Sequence, residues 1–378
     1  MLAQLLREQS ACAAAPASGR LSYGQKSLLY LYKRSPDSHA YNTRFLLRIT
    51  SEIDRPALQA CLDHLVERHA ILRTAYPAAQ PGTQVVVENV RYEVEPVDAS
   101  QWDERELDAR IEAESQRPFQ LEQGSVLRAC LFSRSNRDHL LLLCAHHIAV
   151  DYWSFIILFD ELRALYPAFK LGQPSPLAPV GGSYIEFANR QHEYIESEAA
   201  AAALQFWREK LGGDPARAAL PVDRPRPATQ SYRGATSTFE IDGALAGELG
   251  SLAKREGATI YSVCLAAWLV LLSRYTAEDR VLIGAPAAGR DSSTLEKVAG
   301  YFVNLLPFVA DCSGNPSFRD FLRQVSRTVL ECLDHQVYPF ALLVEKLGLE
   351  RHLNRAPLFD VLFSWDKPHR AEIGSISG

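Results

Sequence analysis

The sequence predicts a mixed α/β (α+β) fold in two domains, on three observations. Its 378 residues, 47% of them hydrophobic, suit two cores of roughly 150 to 200 residues better than one. Both halves open in the same way, with a strand-like run followed by a helical period. Between them, Gly172-Gln173-Pro174-Ser175-Pro176 begins a Pro- and Gly-containing stretch that reaches Gly182 and has the composition of a linker.

In chain order, residues 45–50 (FLLRIT) form the first predicted strand, and Asp54 caps a helix that places Leu58, Leu62, Leu65 and Val66 on one face. Thr83 to Val97 is β-branched and partly alternating, whereas Asp103 to Gln116 is a charged helix with a solvated face. Val126 to Ala145 reads as two strands turning at Ser135-Asn136-Arg137-Asp138, and the almost wholly apolar Leu140 to Ala145 belongs in the middle of its sheet. Phe155, Phe159, Leu162 and Leu165 mark an amphipathic helix that closes the first half.

The second half is predicted to open with a strand at Thr236 to Ile241, a helix at Leu245 to Glu256, and a helix at Tyr261 to Tyr275 apolar enough to be buried nearly all round. Trp207 reads as a packing anchor for its own helix. A strand at Arg280 to Ile283, an apolar run at Tyr301 to Val309, a helix at Phe318 to Leu333 and a strand at Leu362 to Trp365 complete the series. No fixed-period repeat is visible, so any kinship between the halves lies in architecture.

A net charge of -5, from 40 basic and 45 acidic residues, gives no cationic excess for phosphate neutralisation and argues against a nucleic-acid partner. The cysteines, at 12, 61, 130, 144, 264, 312 and 332, are odd in number and form no CxxC pair, so reduced thiols are expected and no metal site is. No apolar run reaches the about 18 residues a bilayer span needs, and Ala11 to Ala17 lacks the layout of a signal peptide. A cytoplasmic protein without a membrane partner is the expectation.

The sharpest local feature is Ala145-His146-His147-Ile148-Ala149-Val150-Asp151-Tyr152-Trp153-Ser154, at the junction of the apolar strand and the amphipathic helix. A histidine there can accept or hold a proton near working pH, and an acidic residue four positions on can orient it. The alternative is a pair of core histidines satisfied by backbone carbonyls, with Asp151 only a helix cap.

HHIAVDYWS resembles the HHxxxDxxS signature of condensation domains from nonribosomal peptide synthetases. Further segments resemble that family's motifs in its order: Leu21-Ser22-Tyr23-Gly24-Gln25, Arg68-His69-Ala70-Ile71-Leu72-Arg73-Thr74, Ser183 to Ala188, Ile283 to Arg290, Gly300-Tyr301-Phe302-Val303-Asn304, His335 to Phe340 and Arg355 to Phe359. The resemblance covers about residues 20–365. It implies two chloramphenicol acetyltransferase-like lobes arranged as a V-shaped pseudodimer, divided here into a tail (1–19), a first lobe (20–178) and a second lobe (179–378) that the family pattern suggests is truncated at its end.

By that resemblance, the activity is amide formation between a carrier-bound acyl or peptidyl thioester and the α-amine of a carrier-bound aminoacyl group. The second histidine, His147, would act as base or position the amine, while His146 is structural. Asp151 would brace the loop through an ion pair, with Arg290 as first-choice partner and Arg73 as second, and Ser154 in support. Tyr152 (a glycine in most relatives), Trp153, Tyr301 and Asn304 are tunnel candidates, and the N–H groups opening the following helix would receive an oxyanion. The implied partners are donor and acceptor carrier domains and an adenylation domain. No cofactor is bound, because the phosphopantetheine belongs to the carriers. Two rival readings are an epimerisation domain, and a catalytically silent platform that recruits another enzyme to a carrier protein.

Overall fold

A computed structural model of the chain describes residues 18–88, 90–212, 220–290, 292–349 and 354–366. Their contacts form two compact units: 18–193 with Arg290–Phe302, and Tyr194–Gly289 with 303–366. The sequence placed the divide at 178/179; by contacts the first unit continues through Glu193 and also takes in Arg290–Phe302. Hydrogen bonds from Arg290, Gly300 and Phe302 to Asp151 and Ser154 account for the second addition.

The first unit runs β1 (Ser18–Arg20), α1 (Tyr23–Arg34), β2 (Asn42–Ile49), α2 (Arg55–Arg68), β3 (Thr74–Ala75), β4 (Thr83–Val86), β5 (Val94–Asp98), α3 (Glu104–Gln116), β6 (Leu127–Ser135), β7 (Asp138–His146), α4 (Tyr152–Lys170) and α5 (Tyr184–Ile195). Its main sheet has the order β2-β7-β6-β5, so the apolar β7 is central as expected. Leu141, Leu143 and Ala145 of β7 join the core under α2 and α4, while Leu142 packs on the other side with Leu107 and Ile111 of α3. Complete burial of each such leucine contributes about 1.5–3 kcal/mol.

The caps follow local chemistry. Asp54 accepts from Ala57 N to start α2, and Asp103 and Glu106 form a reciprocal capping box at α3. One expectation is modified. Thr83 to Val97 divides between sheets, β4 lying between β1 and β3 while β5 pairs parallel with β6. The charged α3 has the solvated face expected of it, with Leu107 and Ile111 buried on the side against the sheet.

The second unit contains α6 (Glu198–Leu211), α7 (Gly243–Arg255), α8 (Ile260–Thr276), β8 (Arg280–Ala287), β9 (Asn304–Asp311), α9 (Phe318–Asp334) and α10 (Phe340–Lys346). Trp207 is buried in α6. Strands β8 and β9 pair antiparallel. Thr236 to Ile241 is not a strand: its alternation suits one, but among the described residues it pairs with no neighbour, and Phe239 is 82% exposed.

Helix α8 is not buried all round either. Val263, Leu265, Ala266, Leu269 and Leu272 are buried, but Trp268, Leu271 and Tyr275 are 37%, 44% and 65% exposed. A two-stranded sheet with α7 and α9 covers only part of its circumference. Leu362 to Trp365 contributes an isolated parallel bridge from Leu362 to Gly284 rather than a strand. No single helix among the described residues is long and apolar enough to cross a membrane. The six described cysteines are free thiols, and Cys12, like Ala11 to Ala17, lies outside the described residues.

Gly284 shows how tightly this bridge packs, because a Cβ there would collide with the Phe359 ring. Gly247, in the interior of α7, has nothing within 4 Å of such a Cβ. Gly284→Ala is therefore expected to destabilise by about 1–3 kcal/mol through overpacking. Gly247→Ala should stabilise by up to about 1 kcal/mol through helix propensity. Urea melts of the two variants, reported as opposite shifts in midpoint, check the pair.

Candidate active site

Strand β7 delivers the histidines. His146 ends it, with its N–H on Val126 O (3.0 Å) and its carbonyl accepting from Ala149 N (3.0 Å), which folds the chain back at once. Ile148, Ala149 and Val150 are fully buried and anchor the turn apolarly. The His146 ring is buried edge-on to Tyr32 and Phe119, and its Nδ1 accepts from Ile148 N at 3.1 Å. The remaining nitrogen, Nε2, therefore carries the proton in the neutral ring.

Burial, with a smaller contribution from His147, pushes the His146 pKa down to about 3. Unfolding releases the ring to its ordinary value of 6.5, so between these values the unfolded chain binds the extra proton. Stability from this group is complete above pH 6.5 and drains as pH falls toward 3, by about 1.4 kcal/mol per unit within the window. Urea melts from pH 7 down to about pH 4 should show that slope, and His146→Gln should flatten it.

His147 is held differently. Its backbone N–H donates to Tyr41 O at 2.8 Å, and its Nδ1 lies 2.6 Å from Val150 O. A carbonyl can only accept, so Nδ1 is the protonated nitrogen and Nε2 presents a lone pair. The Tyr301 ring stands edge-on to the imidazole at 4.9 Å between centroids. His146 is thus a buried core histidine, though its ring accepts from a backbone N–H instead of donating to a carbonyl, whereas His147 is half-buried with one ring nitrogen committed to the Val150 carbonyl.

Asp151 caps α4 and more. Its Oδ1 accepts from Ser154 N (2.8 Å), Ser154 Oγ (2.6 Å) and Arg290 Nη2 (3.0 Å), and its Oδ2 accepts from Phe302 N (3.1 Å). Arg290 is buried and lies over the Phe302 ring at 4.0 Å. Burial lowers its pKa, a shift the Asp151 charge opposes. Arg73, the second candidate, instead donates to Val87 O at 3.3 Å. Ser154 Oγ also lies 2.9 Å from Gly300 O and accepts from Gly300 N at 3.0 Å.

Tyr152 and Trp153 are exposed at 44% and 43%, and Trp153 Nε1 donates to Glu296 O at 3.2 Å. Ser154 N is taken by Asp151, so Tyr152 N and Trp153 N are the donors at the start of α4 left for a developing anion. Asn304 lies in the second unit and is committed to backbone, donating to Gln336 O and Tyr338 O and accepting from Phe340 N. The backbone groups of Val150, Gly300 and Phe302 escaped the sequence reading, since no side-chain type announces them. A cluster of Glu95, Glu114 and Cys130 could ligate a cation by distance, but Arg110 and Arg117 already neutralise its carboxylates.

Comparison with known proteins identifies the family of the chain. A family model described as the condensation domain matches residues 19–372. A linear gramicidin synthase from Brevibacillus parabrevis is 37% identical over 375 residues, a stretch covering 96% of this chain and 5% of that much longer protein. The X-domain from teicoplanin biosynthesis, solved in complex with OxyB, superposes with a TM-score of 0.83 at 29% identity, over 93% of this chain and 78% of its own. The condensation domain of the Monacolin K polyketide synthase MokA shares the fold, with a TM-score of 0.80 at 23% identity over 95% of this chain and 84% of its own. The histidine turn and its buried aspartate–arginine brace thus sit in a chain matched almost from end to end, and the chain belongs to the condensation-domain family.

Proposed function

We propose that the chain is an acyltransferase that joins two carrier-tethered substrates through an amide bond. The observation that carries this is His147, whose Nδ1–H is spent on Val150 O so that Nε2 is the free base. In the reaction the acceptor's α-amine attacks the donor thioester carbonyl, so that a C–N bond forms and the C–S bond breaks. His147 Nε2 takes the proton the amine loses, or holds the amine through its lone pair, and the pantetheine thiol leaves with a proton. Tyr152 N and Trp153 N face the oxyanion, and Asp151 with Arg290 keeps the turn in place. Both substrates arrive on the phosphopantetheine of partner carrier domains, with an adenylation domain supplying the acceptor, in the cytoplasm.

One observation favours a second reading. The likeness to the X-domain solved with OxyB is that of a protein held against another protein, which suits a recruiting platform. An acyl-loaded donor carrier and an aminoacyl-loaded acceptor carrier, mixed with the chain and followed by intact-protein mass spectrometry, separate the two. Amide product on the acceptor carrier supports catalysis. Carrier binding without product across a panel of amino acids sinks it in favour of the platform.

A further inference from the structure

The Leu21-Ser22-Tyr23-Gly24-Gln25 segment lies more than 120 residues before His147 in the sequence. The side chains of Ser22 and Gln25 are completely buried, a costly placement unless every hydrogen bond is made. Ser22 caps α1 by accepting from Gln25 N at 3.1 Å, and Gln25 Oε1 accepts from Ser22 N at 3.0 Å. The capping box leaves the rest of both side chains aimed inward.

From there, two routes lead to the histidine turn. Tyr184 OH donates to Tyr301 O at 2.7 Å, so the hydroxyl contact of 2.8 Å between Ser22 and Tyr184 has Ser22 as donor. Tyr301 in turn is the ring standing against His147. Gly24 makes room for it, because a Cβ there would lie 2.7 Å from Tyr301 Cε1. By the second route, Gln25 Nε2 donates to Tyr76 OH at 3.2 Å and to Gln84 Oε1 at 3.1 Å, and Tyr76 OH donates to Ile148 O at 3.4 Å. Ile148 is the residue after His147.

We propose that Ser22, Gly24 and Gln25, acting through Tyr184 and Tyr76, form a positioning frame that fixes the His147 ring from two sides. The proposal rests on the reading of His147 as the base. The frame sets the backbone of the turn and the wall against which the imidazole stands, and so keeps Nδ1 on Val150 O and Nε2 directed outward.

The test uses Tyr184→Phe and Tyr76→Phe, each removing one hydroxyl, with Tyr166→Phe as control. Tyr166 is likewise buried, and its hydroxyl accepts from Asp54 N at 2.7 Å, outside the frame. Two quantities are read: the ¹⁵N shifts of the His147 ring, assigned by their loss in His147→Ala, and the kinetics of amide formation. Both frame variants should move His147 away from the pure Nδ1–H tautomer. They should also lower kcat roughly ten- to a hundredfold with KM for each carrier unchanged, as expected for misplacement of a reacting group. Tyr166→Phe should leave the shifts and kcat as in the wild type. Wild-type His147 shifts and kcat in both frame variants would overturn the proposal, as would equal changes in Tyr166→Phe. If the wild type forms no amide, the functional reading fails and the ¹⁵N shifts alone decide whether the frame holds the ring.

Discussion

His147→Ala should reduce amide formation by about 100- to 10,000-fold, the usual contribution of a positioned general base. The loss should fall on kcat, because the imidazole acts on a proton that moves in the transition state rather than on the carrier surfaces that set KM. Single-turnover mass spectrometry on pre-loaded carriers reads the step directly. A variant retaining more than roughly a tenth of the rate would remove His147 from the chemistry. His146→Ala should behave in another way, since its ring is packed between Tyr32 and Phe119 and the variant loses stability before it loses chemistry.

The second large effect belongs to the Asp151–Arg290 pair. Breaking a buried pair leaves the partner's charge stranded, at a cost of about 3–5 kcal/mol, against a total stability of about 5–15 kcal/mol for a domain. The two halves of the pair are not equivalent. Asp151→Ala removes the acceptor for Ser154, Phe302 and Arg290 together, and Arg290 already has Nε and Nη1 buried without a partner. Arg290→Met leaves the carboxylate with its donors from Ser154 and Phe302. Urea melts should therefore rank Asp151→Ala as the more destabilising. The double variant should cost less than the two singles added, and simple additivity would mean that the contact carries no coupling.

Much of this is legible without coordinates. The apolar run of β7 and the spacing of Leu58, Leu62 and Leu65 state their positions through local period, because burial on one side of a strand or helix is a property of neighbours in sequence. Thr236 to Ile241 misleads for the complementary reason: alternation says that a segment could be a strand, but a strand exists only where another backbone offers its hydrogen bonds. The same holds for Tyr261 to Tyr275, whose hydropathy says nothing about how much protein is available to cover it.

Around the site, His147 and Asp151 stand out by motif, but Arg290 is 139 residues from its carboxylate, and only the order of the family's motifs brings it to notice. The Gln25–Tyr76 contact, 51 residues apart, has no such guide, since neither residue type is unusual in its place.

The side of α8 that the described residues leave uncovered, with Phe239 and Ile241 also outward, has a practical corollary for anyone handling the protein. Trp268, Leu271 and Tyr275 offer a folded chain's greasy surface to any environment-sensitive dye. Fluorescent reporters of apolar surface should glow at room temperature and dim or barely change on heating, so a dye-based melting curve would misrepresent a sound preparation. Intrinsic tryptophan emission or circular dichroism gives the truer reading of whether the fold is intact.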